Sequence, residues 1–390
     1  MDRGIPPASA RGGGRGGGAA ARARTAPHAV TNLARKLVSY SRIHAGTARG
    51  TLRSAQLLRH KLSVRLAAVL PLKMAARSEL RYIDSHSHVW TNDVSSFPPL
   101  DGVAVGDDDA GWSIESWTGE CILRAAAPSG VGRVVLIGHG LIYGYDNAYM
   151  LECAQRHPGK FRVVAQIDDR RPPMELASTM RSLLQQGVTG FRLSPSEFGK
   201  PFGRTRDDWL STDGMQTMWK TAAETRQAMC GLVNVGDALD AWEQMVAQHP
   251  QTVAVIDHFS RIGVDGSISQ EDVERLCALA RYPNLYVKVS AFYALGQATA
   301  PYRDMLPFLR RLVEAFGAKR LMWGSDCPYQ IHQHQPPFNP NATPGEVGSY
   351  DSSIAVVRDH ADFLSAPEKE QILGLTAERV FFFDQSASGL

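Results

Sequence analysis

The strongest constraint on the fold is the alternation, from residue 81 onward, of short apolar runs with longer amphipathic stretches. Nearly continuous apolar runs rich in β-branched residues predict strands that are covered on both faces, as in a parallel sheet. Several of the intervening stretches end at Gly or Pro, which are typical helix stops. There are eight such runs: RYIDSH (81–86), RVVLIG (133–138), FRVVAQID (161–168), VTGFRL (188–193), CGLVNV (230–235), TVAVID (252–257), NLYVKVS (284–290) and KRLMWGS (319–325).

The number of runs selects among the α/β architectures. Eight strands alternating with helices over roughly 300 residues is the pattern of a (β/α)8 TIM barrel, which we predict for residues 79–390 as a single domain. A doubly wound sheet would usually have fewer strands and a Gly-rich first turn, and the GGGRGGG stretch follows no strand. The predicted helical segments are 145–157, 174–187, 214–228, 237–249, 269–282 and 301–316.

The first 78 residues differ sharply in composition from the rest. They hold fifteen basic residues and one acidic residue, whereas the remaining 312 hold 27 basic and 38 acidic. Residues 1–31 are rich in Gly, Ala and Arg, a composition that cannot bury a core. We therefore predict a disordered basic extension over residues 1–78, joined to an acidic catalytic domain.

Three interpretations of this extension remain open. An Arg-rich, Ser-containing, acid-poor segment is typical of an organelle transit peptide, which predicts a chloroplast stroma or mitochondrial location. Met74 would make an alternative start and a cytoplasmic protein. An RNA-binding tail lacks the interleaved aromatic residues that stack on bases, apart from Tyr40. We expect no nucleic-acid partner, and no apolar run is long enough to cross a membrane.

In a TIM barrel the reactive groups lie at the carboxyl ends of the strands. The first run leads into His86 and His88, the sixth into His258 and the eighth into Asp326. His86 and His88, two residues apart on an extended segment, project to the same side. Such a cluster predicts one of two chemistries: a bound metal ion with an Asp-activated water, or metal-free polarisation of a carbonyl with Asp326 as general base.

Taken together, these motifs resemble the amidohydrolase superfamily, and more closely its branch with 2-pyrone-4,6-dicarboxylate lactonase and sugar lactonases. The resemblance implies catalytic roles for His86, His88 and His258, with Asp326 as the base that deprotonates water. It covers residues 81 to 383. The matching segments are IDSHSHVW (83–90), IGHGLIYGYDNAYMLECAQRHPGKFRVVAQID (137–168), GFRLSP (190–195), VIDHFSRIG (255–263), LYVKVSAFY (285–293) and RLMWGSDCPY (320–329).

Two departures from the family pattern bear on the metal. Where metal-rich members have a bridging lysine this chain has Arg192, and where they have a further histidine it has Asn234. The resemblance then argues against a binuclear centre. It leaves a single divalent ion, Zn or Mn, held by His86, His88 and Asp326 with or without His258, or metal-free catalysis as in the dicarboxylate lactonase.

Four residues are predicted to bind substrate: Arg192, His139, Tyr293 and Asn234. A guanidinium at a strand end either meets a substrate anion or pairs with an internal acid, for which Glu197 is a candidate. Lys288 lies within the seventh run, where local pairing is the expected role.

The leading functional hypothesis is a hydrolase that opens a lactone or related ester of a small, carboxylated organic acid. The alternative is a metal-dependent non-oxidative decarboxylase of an aromatic or muconic-type acid. A third class, a barrel that binds without catalysis, predicts the replacement of at least one of the four polar residues, and all four are present.

Overall fold

The computed structural model describes residues 81–101, 103, 116–195, 209–329 and 349–384. Eight strands pair in chain order into one sheet, and every pair of neighbours is parallel. The predicted (β/α)8 barrel is therefore confirmed. The strands are β1 (Tyr82–Ser87), β2 (Val131–Ile137), β3 (Phe161–Ala165), β4 (Val188–Leu193), β5 (Ala228–Gly231), β6 (Ala254–Ile256), β7 (Leu285–Ser290) and β8 (Leu321–Gly324).

Helices connect the strands and bury their apolar faces against the outside of the sheet. Each of the six predicted helical segments contains a helix. In the described part of the chain, five further short helices lie outside those segments, because each has too few turns to register as a helical pattern in the sequence. The helices are α1 (Gly119–Ala126), α2 (Gly140–Tyr143), α3 (Ala148–Arg156), α4 (Pro173–Gln185), α5 (Asp213–Thr225), α6 (Asp237–Gln248), α7 (Gln270–Ala278), α8 (Leu306–Phe316), α9 (Tyr350–Ala355), α10 (Ala366–Glu370) and α11 (Thr376–Phe381).

The first and last strands meet through the residues that follow β8. Ser87 forms a parallel bridge with Cys327. The backbone N–H of His88 donates to the carbonyl of Cys327 at 2.8 Å, and the N–H of Asp326 donates to the carbonyl of His86 at 2.8 Å. This closure fixes the backbone of the His-x-His segment against the backbone of Asp326.

Asp84 also stabilises this contact between the first and last strands. Its fully buried carboxylate accepts hydrogen bonds from the backbone N–H and hydroxyl of Ser325, at 2.8 and 2.5 Å, and from the hydroxyl of Tyr350 at 2.9 Å. It also accepts from the backbone N–H of His86 at 3.0 Å. Burial raises the pKa of Asp84 to about 6. One carboxyl thus ties together β1, the end of β8 and α9.

The opposite, amino-terminal end of the barrel is sealed by α11. Ala377, Val380 and Phe381 pack among residues of the barrel interior, including Ile83, Val135, Val164, Val255 and Met322. The barrel is consequently a filled core with one open end, at the carboxyl ends of the strands.

The extension predicted for residues 1–78, its transit-peptide interpretation and the alternative start at Met74 lie outside the described residues. Their boundary with the barrel stays a prediction. Among the described residues, no helix has the length and apolar character needed to span a bilayer.

Candidate active site

One carboxylate oxygen faces three imidazoles at the open end of the barrel. Oδ1 of Asp326 lies 3.2 Å from Nε2 of His88, 3.4 Å from Nε2 of His86 and 3.8 Å from Nε2 of His258. All four side chains are buried. The structure thus brings together the four residues for which the sequence predicted a shared cavity.

The backbone at two of these positions is held in the left-handed region. His258 (φ 52°) opens a turn whose next three residues, 259–261, also have positive φ, and Asp326 has φ 58°. Non-glycine residues adopt this conformation at some cost, and it is concentrated at functional sites. Here it lets the chain leave β6 and β8 while turning each side chain toward the barrel axis.

The hydrogen bonds of His88 identify its tautomer. Nδ1 of His88 lies 2.9 Å from the carbonyl oxygen of Ile137. A carbonyl can only accept, so Nδ1 carries the proton and, in the neutral ring, Nε2 presents a lone pair. In the neutral ring that lone pair and Oδ1 of Asp326 are both acceptors, 3.2 Å apart, and a cation or a hydrogen donor in contact with both would stabilise them.

The electrostatics keep the base ionised and the imidazoles of His86 and His258 neutral. Burial lowers the pKa of His258 to about 4 and holds the pKa of His86 well below its usual value. For Asp326 burial acts to raise the pKa, but the imidazoles of His258, His88 and His86 outweigh it and hold that pKa well below the ordinary range. An ionised carboxylate in this position can accept a proton from water at neutral pH.

A buried ion pair lies directly beneath the histidines. Nζ of Lys288, on β7, is 3.0 Å from Oδ1 of Asp257 and 3.2 Å from Nδ1 of His86, and both charged side chains are fully buried. Lys288 therefore pairs locally, as expected. This ion pair lies within the largely apolar barrel core. Nζ of Lys288 is also 5.6 Å from the centre of the Phe381 ring in α11.

Arg192, on β4, also reaches an internal acid, which is Asp257. Its Nε lies 3.7 Å from Oδ2 of Asp257, and its Nη1 donates to the carbonyl of Gly138 at 3.3 Å. Glu197, the partner considered from the sequence, lies outside the described residues. Arg192 retains some exposure at the open end, 12% of its side chain, so its guanidinium can also meet a bound anion.

The other predicted substrate contacts differ in their placement. Tyr293 donates from its hydroxyl to Oδ2 of Asp326 at 2.8 Å. His139 stacks edge-on to His88 with ring centroids 5.0 Å apart, and its Nε2 is hydrogen bonded to the hydroxyl of Tyr329. Asn234 is exposed and three residues beyond β5, because that strand already ends at Gly231.

The sequence assigned no role in the site to Asp84 or Tyr329, and for Lys288 it predicted a local partner without identifying which one. Asp84 bonds to Tyr350 of α9, whereas His86 faces Lys288 and Asp326, and an irregularity in the β1–β2 register between Asp84 and Ser87 separates the two positions. Lys288 is a charge within an apolar run, and such a charge must find a partner. Tyr329 follows Asp326 closely in sequence, but nothing in the pattern marked it as a partner of His139.

His86, His258 and Asp326 offer a fit for a divalent cation. Their candidate ligand atoms all lie within 4.8 Å of one another. Nε2 of His86 is buried and makes no hydrogen bond within the described part of the chain. Nitrogen and carboxylate donors of this kind suit zinc, and manganese also accepts them.

The amidohydrolase family model matches residues 83–383, which include every side chain of this site. The chain belongs to the amidohydrolase family. Among amidohydrolases it is 24% identical over 311 residues to an L-fucono-1,5-lactonase of Burkholderia ambifaria, covering 78% of this chain and 96% of that protein.

Two further relatives match over shorter stretches. A 4-sulfomuconolactone hydrolase of Hydrogenophaga intermedia is 26% identical over 206 residues, which is 51% of this chain and 61% of that protein. A 2-pyrone-4,6-dicarboxylate hydrolase of Comamonas testosteroni is 28% identical over 218 residues, covering 53% and 66%. The chain thus spans somewhat less than two thirds of each of these two relatives.

The fold is shared with solved amidohydrolases. A Burkholderia multivorans amidohydrolase crystallised with bound zinc is 21% identical, with a TM-score of 0.58 over 78% of this chain and 99% of that one. At this identity the likeness concerns the fold, and it agrees with the barrel described above.

Proposed function

We propose that this amidohydrolase opens a lactone, or a related ester, of a small carboxylated organic acid. The observation that carries the proposal is the Asp326 carboxylate oxygen, ionised and within 3.8 Å of three imidazole nitrogens at the open end of the barrel. Relatives that are themselves named for lactone hydrolysis support the same reaction class.

The first step uses Asp326 and His88 to hold and activate water. A water molecule at the open end of the barrel donates a hydrogen to Oδ1 of Asp326, and the neighbouring Nε2 lone pair of His88 helps to orient it. Asp326 takes that proton as the water oxygen bonds to the lactone carbonyl carbon. His86 and His258 face the same space, where an N–H can stabilise the oxyanion that forms.

In the second step the bond between the carbonyl carbon and the ring oxygen breaks. The departing alkoxide oxygen takes the proton from Asp326, which regenerates the carboxylate, and the product is the ring-opened hydroxy acid. Arg192 lies at the cavity with a partly exposed guanidinium, a group suited to a carboxylate on the substrate. Tyr293, His139 and Asn234 remain proposed as further substrate contacts.

A divalent ion is compatible with the same residues. His86, His258 and Asp326, and His88 through its Nε2 lone pair, would hold it, with zinc or manganese as the candidates. When bound, it would polarise the substrate carbonyl as a Lewis acid.

The test is a panel of carboxylated and neutral lactones, assayed with the full chain and with Asp326→Asn. Loss of a general base predicts a fall in kcat of about 10²- to 10⁴-fold with an unchanged fold. Retained hydrolysis in Asp326→Asn would refute the proposed base. Release of CO2 from an aromatic or muconic-type acid, dependent on one stoichiometric metal ion, would instead establish the decarboxylase alternative.

We also propose that residues 1–78 direct the protein to an organelle, the chloroplast stroma or the mitochondrion, when translation begins at Met1. The support is their basic, acid-poor, Ser-containing composition. A fluorescent fusion of residues 1–78 tests this, since a diffuse cytoplasmic signal would contradict it. A chain starting at Met74 is expected in the cytoplasm.

A further inference from the structure

The two histidines of the His-x-His pair have different partners on their inner nitrogens. Nδ1 of His88 faces a carbonyl oxygen, that of Ile137, at 2.9 Å. Nδ1 of His86 faces an ammonium nitrogen, Nζ of Lys288, at 3.2 Å. A carbonyl only accepts and an ammonium only donates, so the two neighbours demand opposite tautomers of two otherwise similar rings.

Asp257 is the competing partner for His86. Its Oδ1 lies 3.4 Å from Nδ1 of His86, which is longer than a normal N–H···O hydrogen bond. The same oxygen is 3.0 Å from Nζ of Lys288, which anchors the ammonium group in contact with the imidazole. A proton on Nδ1 would then face the N–H groups of Lys288, whereas a lone pair there accepts from them.

We infer that Lys288 is a positioning residue that fixes His86 in the tautomer with the proton on Nε2, so that His86 donates a hydrogen bond into the reaction space and can bind a divalent ion only when that proton moves to Nδ1. The carbonyl of Ile137 fixes His88 in the other tautomer, with the proton on Nδ1, so Nε2 of His88 accepts a hydrogen bond. Ligation through Nε2 of His86 requires its lone pair, and therefore a proton on Nδ1 directed at Asp257.

This inference deepens the proposed function, because it names His86 as the oxyanion donor. It also has a consequence that does not depend on any substrate. Removing the ammonium group leaves Asp257 as the only nearby partner of Nδ1 among the described groups, so the ring should change tautomer. Its Nε2 lone pair would then be available to Zn²⁺.

The tautomer is measured directly by long-range ¹H–¹⁵N correlation NMR on the full chain, with ¹⁵N-labelled histidine. The chain has twelve histidines, and comparison with His86→Gln assigns the signal of residue 86. We expect the Nε2-protonated pattern in the wild type. An Nδ1-protonated pattern in the wild type would overturn the inference, and this measurement needs no variant of Lys288 to fold.

Zinc affinity provides the second readout, by competition with a chromogenic chelator. In Lys288→Met we expect the His86 signal to change to the Nδ1-protonated pattern and the Kd for Zn²⁺ to fall about 10- to 100-fold. In Lys288→Arg, which keeps a cationic donor, tautomer and affinity should stay close to the wild type. An unchanged or weaker affinity in Lys288→Met contradicts the inference. An inactive protein with the expected tautomer would contradict only the hydrolase proposal.

Discussion

Tyr293 donates its hydroxyl hydrogen to Oδ2 of Asp326 at 2.8 Å, while Oδ1 of the same carboxylate faces the imidazoles. The two carboxylate oxygens of Asp326 therefore have different functions. Oδ2 is tied to the barrel wall, and Oδ1 is left to accept a proton. This arrangement makes Tyr293 a group that orients the base, in addition to the substrate contact that the sequence suggested.

Tyr293→Phe is expected to lower kcat about tenfold, with a smaller change in KM. The reason is the loss of a hydrogen bond to a charged group, typically worth about 1.5–3 kcal/mol, which lets the carboxylate rotate. Steady-state kinetics on a hydrolysed lactone measure the effect. Tyr282→Phe is the matched control, since its hydroxyl bonds to Glu243 outside the barrel. An equal loss of kcat in both variants would contradict the orienting role.

The acidic limb of the pH–rate profile is expected near pH 4. Burial lowers the pKa of His258 to about 4, so its ring stays neutral as the pH falls through 6.5, the ordinary value for histidine. Below about pH 4 the ring gains a proton and pairs with Asp326, which removes the base. Measurement of kcat/KM from pH 3.5 to 8 tests this, and half-maximal activity close to pH 6.5 would be inconsistent with it.

Arg192→Met is expected to raise KM for a carboxylated lactone about 10- to 100-fold, since a charge-assisted hydrogen bond contributes about 1.5–3 kcal/mol. A neutral lactone should be little affected. In this variant Asp257 still has its ion pair with Lys288, whose Nζ lies 3.0 Å from Oδ1, so the core is not left with an unpaired carboxylate. Arg171→Met, at a half-exposed residue paired with Glu175, is the control. Equal effects on charged and neutral lactones would argue against anion binding by Arg192.

Asp84→Asn is expected to change how stability depends on pH. The pKa of Asp84 is raised to about 6, so the folded chain binds a proton more tightly than the unfolded chain, and the free energy of unfolding falls as the pH rises from about 4 to 6. Asn cannot ionise. The variant should therefore gain stability relative to the wild type across that range, as measured by urea denaturation at each pH. A constant difference would show that Asp84 does not titrate there.

The barrel could be predicted from the sequence because parallel strands buried on both faces leave an unambiguous apolar pattern. His86, His88, His258 and Asp326 could be predicted for a related reason, since a polar residue just after such a run must lie at the open end. Both kinds of inference depend on position along a single strand. Neither requires knowledge of which side chains meet across the barrel.

Contacts across the barrel were the part that the pattern could not supply. The end of β5 was predicted four residues too late, because Leu232 and Val233 extend the apolar run beyond Gly231, and Asn234 was placed accordingly. The partner of Arg192 was sought nearby in sequence at Glu197, whereas the structure has Asp257 on a different strand. Lys288 could be recognised as paired, but its contact with His86 depends on two strands that are 202 positions apart in the chain.

The seam between the first and last strands has a consequence for biosynthesis. Asp326 and the residues that lock it to the His-x-His segment lie close to the end of the barrel sequence, and the sealing helix α11 comes later still. A nascent chain that has emerged only as far as β7 carries all three imidazoles but no general base. Catalytic competence should therefore arise abruptly, as a late event, once the ribosome has released the last strand of the barrel.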